Sequence, residues 1–78
     1  MSKYYSFIEI QNNVNNLPHG DTIYDSVVKG IRKYGMDRDK VYGYAGPYPS
    51  SWNVEFDHIW AMMTALNRED YRRLVKIR

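Results

Sequence analysis

Imidazole is the side chain that changes charge near neutral pH and the commonest general base, so the two histidines come first. His19 stands in a Pro18-His19-Gly20 turn, and His58 lies inside an apolar stretch. No carboxylate pair lies at helical spacing around either one. Asp57 is adjacent to His58 and therefore points elsewhere on a helix. A metal site needs three or four convergent ligands, and His19, Asp21, Asp25 and His58 share no ligand spacing. Ser50 and Ser51 lack the strand-turn-helix setting of an activated serine. Gly43 to Gly46 lacks the strand, the lysine and the following hydroxyl of a phosphate-binding loop. The chain has no cysteine, which removes disulfides, zinc thiolates and thiol chemistry. No catalytic residue, no metal ligand and no cofactor is therefore assigned, and the expectation is a protein that is not an enzyme.

Recognition is the better-supplied chemistry. Tyr42, Tyr44, Tyr48 and Trp52 place four large aromatics within 11 residues, interleaved with Gly43, Gly46, Pro47 and Pro49. Tyrosine and tryptophan bring large amphipathic contact area at low entropic cost, which suits binding surfaces. The chain holds eight tyrosines and only three leucines, an unusual filling for a core; these rings either rim a small core, with the prolines pinning the loop against it, or form an interface. The protein-binding set expected from the sequence is Tyr42, Tyr44, Tyr48, Trp52, His58, Met62, Arg72, Arg73 and Lys76.

Charge is segregated along the chain. Net charge is only +2. Residues 68–78 nevertheless carry five basic side chains against Glu69 and Asp70, and residues 29–40 carry five against Asp37 and Asp39. Residues 41–67 contain no basic residue. If the two basic helices lie side by side, Lys29, Arg32, Lys33, Arg38, Lys40, Arg72, Arg73 and Lys76 form a phosphate-binding set. Val27, Ile31, Gly35, Met36 and Val41 also resemble the general helix-turn-helix pattern, over about 20 residues. Its second helix, starting near Asp37, is a poor reader of DNA because Asp37 and Asp39 repel phosphate. Nucleic acid is accordingly the alternative partner and protein the favoured one.

Five candidate elements position these residues. Phe7, Ile10, Val14 and Leu17 form one helical stripe, and Ser6 with Glu9 fits a capping box; Tyr5 to Ile10 is also compatible with a strand. Asp21 predicts a capped helix over 22–34 with Ile23, Tyr24, Val27, Val28, Ile31 and Tyr34 inward and Gly35 as its stop. Gly30 lies at the edge of that apolar side, where a missing β-carbon lets a neighbouring helix approach. Asp37 predicts a short helix over 37–42, followed by a loop from Gly43 to Ser51. Ser51 predicts a cap for a helix over 52–66 whose main face is Trp52, Phe56, Ile59, Trp60, Met63 and Leu66. Val54, His58, Ala61, Met62 and Ala65 make its other side nearly as apolar, so it is either wrapped on both sides or offers a face to a partner. If about 400 Å² stayed bare there, its burial at about 25 cal/mol per Å² would contribute about 10 kcal/mol before costs. Asn67 predicts the cap of a last helix over 68–77, with Asp70 at the capping-box position.

The expected fold class is thus all-α: a single domain over 1–78, a small bundle of three to four short helices with one aromatic, proline-rich loop. At this length only about 60% of the unfolded chain's surface is hidden. No apolar run approaches the roughly 18 residues of a membrane span, and the start lacks the apolar core of a secretory signal. The expected setting is cytoplasmic, with no membrane and with a homodimer as one available assembly. A small cofactor-free chain of this kind resembles, in type only, the accessory proteins of phages and mobile elements that inhibit host enzymes or defence systems. The expected function is that of a small regulatory or inhibitory protein that binds another macromolecule.

Overall fold

The computed structural model describes residues 4–76, and among them the chain forms five helices and no strand. The all-α expectation holds, with five helices in place of three to four. α1 is Phe7–Val14, α2 Gly20–Tyr34, α3 Arg38–Ala45, α4 Ser50–Thr64 and α5 Arg68–Lys76. Ile77 and Arg78, assigned above to the last helix and its basic cluster, lie outside the described residues.

Local chemistry accounts for most of the boundaries. Ser6 and Glu9 form the full capping box: the Glu9 N–H donates to Ser6 Oγ at 3.2 Å and the Ser6 N–H to Glu9 Oε1 at 2.9 Å. The helix therefore wins over the strand at residues 7–14. Asp37 caps α3 by accepting from the Lys40 N–H, and Asn67 caps α5 by accepting from the Glu69 N–H. Gly35, at φ 75°, ends α2 in backbone space that favours glycine.

Several boundaries differ from expectation: α1 ends at Val14, short of Leu17, and α4 ends at Thr64, short of Leu66. α2 begins at Gly20 with His19 at the capping position and no side-chain cap, so Asp21 lies in the first turn instead. α4 begins at Ser50, directly after Pro49, and Ser51 is not its cap. α3 runs through Gly43 to Ala45, and the true loop is only Gly46 to Pro49, with a cis Gly46–Pro47 peptide. An internal glycine costs a helix about 1 kcal/mol, and packing of Val41 and Tyr42 against the core offsets it.

The core is one cluster. Ile10 and Val14 come from α1, and Ile23, Val27, Val28 and Ile31 from α2. Val41 comes from α3, Phe56, Ile59, Met62 and Met63 from α4, Leu66 from the following link and Leu74 from α5. The radius of gyration is 11.8 Å, against about 11.5 Å for a tightly packed chain of this length. α2 is the central member, packing on α1, α3, α4 and α5. Gly30 does what its position suggests: a β-carbon there would lie 2.9 Å from Val41 Cγ1, so its absence sets how closely α3 sits on α2.

α4 buries Met62 in the core and half-buries Trp52, Trp60 and Ala65, while Val54, His58 and Ala61 of its second side are exposed. What stays open is a narrow strip of Asn53, Val54, Asp57, His58, Ala61 and Thr64. Apart from Val54, 73% exposed, it offers little apolar area. The broad bare face considered above is therefore absent among the described residues, and Met62 is unavailable to a partner.

Candidate functional site

The N-terminal half of α4 gathers most of the aromatic cluster. Tyr42 meets Phe56 edge-on at 4.9 Å between centroids, and its hydroxyl donates to Asn53 Oδ1 at 2.7 Å. Tyr48 lies 5.6 Å from Trp52 and 6.2 Å from Phe56. Its hydroxyl is buried without a partner in hydrogen-bonding geometry. Burial pushes that phenol above the ordinary tyrosine value, with the Ser26 side chain pulling the other way. Tyr42, Tyr48 and Trp52 are thus half-buried flanks of the core, and of the four rings only Tyr44 is open, at 44% exposure.

His19 belongs to the same end. Its ring stacks on Trp52 at 4.1 Å, its Nδ1 lies 3.0 Å from Glu55 Oε2, and its N–H donates to Glu55 Oε1 at 2.9 Å. Glu55 is buried. Burial alone raises a carboxyl pKa, but the two His19 bonds and the His19 charge outweigh it, so Glu55 is held below its ordinary value. The carboxylate reaches from α4 to the start of α2, where the helix dipole also favours negative charge. The arrangement is a clamp between elements: every bond it makes holds the fold. Glu55 is 36 positions from His19 in the chain, so no local spacing announced the pair. Among the described residues no group of three His, Asp or Glu is placed to hold a metal ion.

The basic residues split into occupied and open sets. α2 and α5 do pack together, but Arg32 is spent on that contact: its Nε donates to the Leu74 carbonyl at 2.8 Å, an otherwise orphaned acceptor in the last turn of α5. Lys29 pairs with Asp25 at 3.1 Å. Arg38 pairs with Asp57 and lies over the Phe56 ring, and Arg73 pairs with the buried Asp70, which does not form the expected capping box. Lys33 Nζ sits 5.7 Å from the Tyr34 ring and 5.4 Å from the Tyr44 ring. Among the described residues Lys40, Arg68, Arg72 and Lys76 have no acidic partner. His58 is exposed on the outer strip of α4, away from the groove described next.

The opposite end of α4 carries a groove that the sequence did not disclose. It encloses about 340 Å³ and is lined by Tyr4, Met36, Met63, Thr64, Leu66, Arg68 and Tyr71. Its wall is fixed by the backbone. The Tyr5 N–H donates to the Ala65 carbonyl at 2.7 Å, and the Asn67 N–H donates to the Tyr5 carbonyl at 2.7 Å. This tie holds the segment before α1 against the link between α4 and α5. Met36, just past Gly35, is delivered by the turn between α2 and α3. Met36 is 37% and Tyr4 58% exposed, so the apolar lining is open to solvent. Three separate stretches of chain build the groove, at Tyr4, at Met36 and over residues 63–71; the one local hint was a methionine directly after a helix-stopping glycine. Comparison with protein families, with characterised proteins and with solved structures finds no match.

Proposed function

We propose that this chain is a small non-enzymatic regulatory or inhibitory protein that acts by holding another protein, of the type that phages and mobile elements use against host enzymes or defence systems. The observation that carries this reading is the open groove beside Met36, together with the exposed Tyr34 and Tyr44, which meet edge-on at the C-terminal ends of α2 and α3. Solvent-facing methionine and tyrosine of this kind suit an adaptable protein interface. The docking end thus moves from the Tyr42 to Trp52 stretch, whose rings are mostly spent on the core, to the groove, with Tyr44 and the basic side chains of α5 kept. No helix among the described residues is long and apolar enough to cross a membrane.

The test is capture from the source cell by the protein and by Met36→Glu, which places a charge in the apolar lining. The expected result is a specific protein held by the original chain and lost by Met36→Glu and by Tyr44→Ala, at unchanged melting temperature. Capture indifferent to both substitutions overturns the reading. The alternative, nucleic-acid binding, draws on the packing of basic α2 against basic α5. It requires affinity for random duplex that falls steeply with salt.

A further inference from the structure

Three of the cations without an acidic partner among the described residues are aligned. Arg68, Arg72 and Lys76 stand at i, i+4 and i+8 on α5, one above the other on a single helix face. All three are exposed and have no acidic partner among the described residues. Arg68 also lines the groove, so the basic stripe begins where the apolar lining ends. Of the acids of α5, Asp70 is turned inward and held by Arg73, and Glu69 is exposed at one edge of the stripe, leaving it a net positive face. From this charge arrangement we infer that the groove takes an acidic segment of a partner protein, anchored by one aromatic or large aliphatic side chain beside Met36 and Tyr71, above the buried Met63, with its carboxylates along Arg68, Arg72 and Lys76.

The inference rests on the protein-holding function proposed above and deepens it. A single side chain fits about 340 Å³ with room to spare, whereas a second helix laid along the groove would need a longer apolar track than these residues supply. A guanidinium at the lip of an apolar site discriminates: it favours carboxylates beside the anchor and repels ammonium groups there. The hydrophobic anchor supplies the affinity, while the stripe supplies steering and selectivity, which salt weakens.

The probe is a short synthetic peptide, blocked at both ends, made of aspartates and glutamates around one central tryptophan. Two control peptides replace the acids by lysines or the tryptophan by alanine. Binding is followed by the amide chemical shifts of isotope-labelled full-length protein. Saturable shifts confined to Met36, Met63, Leu66 and the first turns of α5, with both controls inert, are expected. Arg68→Glu should weaken binding by about tenfold or more at unchanged melting temperature, and raising salt from about 50 to about 300 mM should act in the same direction. Equal binding of the lysine peptide, shifts elsewhere, or indifference to Arg68→Glu overturns the inference. So does a random duplex that shifts the α5 amides where the acidic peptide does not, which assigns the stripe to phosphate. Concentration-dependent dimerisation abolished by Met36→Glu also overturns it, by seating a second copy in the groove. If Met36→Glu abolishes capture from the cell but the acidic peptide stays unbound, the protein-holding function stands and only the acidic anchor fails.

Discussion

The two ends of α4 use the same side-chain types differently. Around Trp52 the rings of His19, Tyr42, Tyr48, Trp52 and Phe56 touch one another, Glu55 holds His19, and Arg38 finds Asp57. Around Leu66, by contrast, tyrosine and methionine line an open groove, and Arg68 stands without an acidic partner among the described residues. In one place the aromatics and charges complete a small core; in the other they border a groove open to solvent. Residue type alone does not separate the two roles. Position relative to the core does, because a tyrosine that covers Phe56 and one that faces water carry the same pattern in the chain.

Substitutions sharpen the contrast, and the largest effect belongs to the packed end. Phe56 is fully buried beneath three aromatic neighbours. Phe56→Ala should cost about 3–5 kcal/mol, read by urea unfolding, and leave the chain largely unfolded at this size. A loss comparable to that of an exposed residue would erase the distinction between the two ends.

The next effect is smaller and depends on pH. Glu55→Ala leaves the His19 N–H without its acceptor and should cost about 1–3 kcal/mol near neutral pH. The folded-state pKa of Glu55 lies below its ordinary value of 4.5. Its bonds therefore stabilise the fold fully above that ordinary value, and the contribution is lost as pH falls through the lower folded value. Urea midpoints measured from about pH 3 to about pH 7 should converge for the original chain and Glu55→Gln at the acid end and separate above it. Parallel curves would remove the clamp from the account.

The smallest effect has the opposite sign. Tyr48→Phe deletes a buried hydroxyl that lacks a well-placed partner, so it should be neutral or stabilising by up to about 1 kcal/mol in thermal unfolding. A clear loss would mean that the hydroxyl is bonded, with Ser26 as the partner.

The helices were legible because their signals are local. A capping box at Ser6 and Glu9, an apolar stripe from Ile23 to Ile31, and caps at Asp37 and Asn67 act within a turn or two of where they stand. Gly43 misled because a breaker's cost is small beside the burial of Val41 next to it. Met62 misled because an apolar position on such a helix reads the same whether its own chain or a partner covers it, and here its own chain covers Met62. The clamp and the groove were illegible for one shared reason: each joins residues that only tertiary packing brings together, Glu55 with His19, and Tyr4 with Met36 and Tyr71.

The two main-chain bonds at Tyr5 carry a last implication for biosynthesis. They tie one of the earliest described residues to positions 65 and 67, and the groove's far wall, Tyr71, follows later still. In a polypeptide growing from the ribosome the groove is therefore complete only once residue 71 is clear of the exit tunnel, and a product truncated before that point lacks one of its walls.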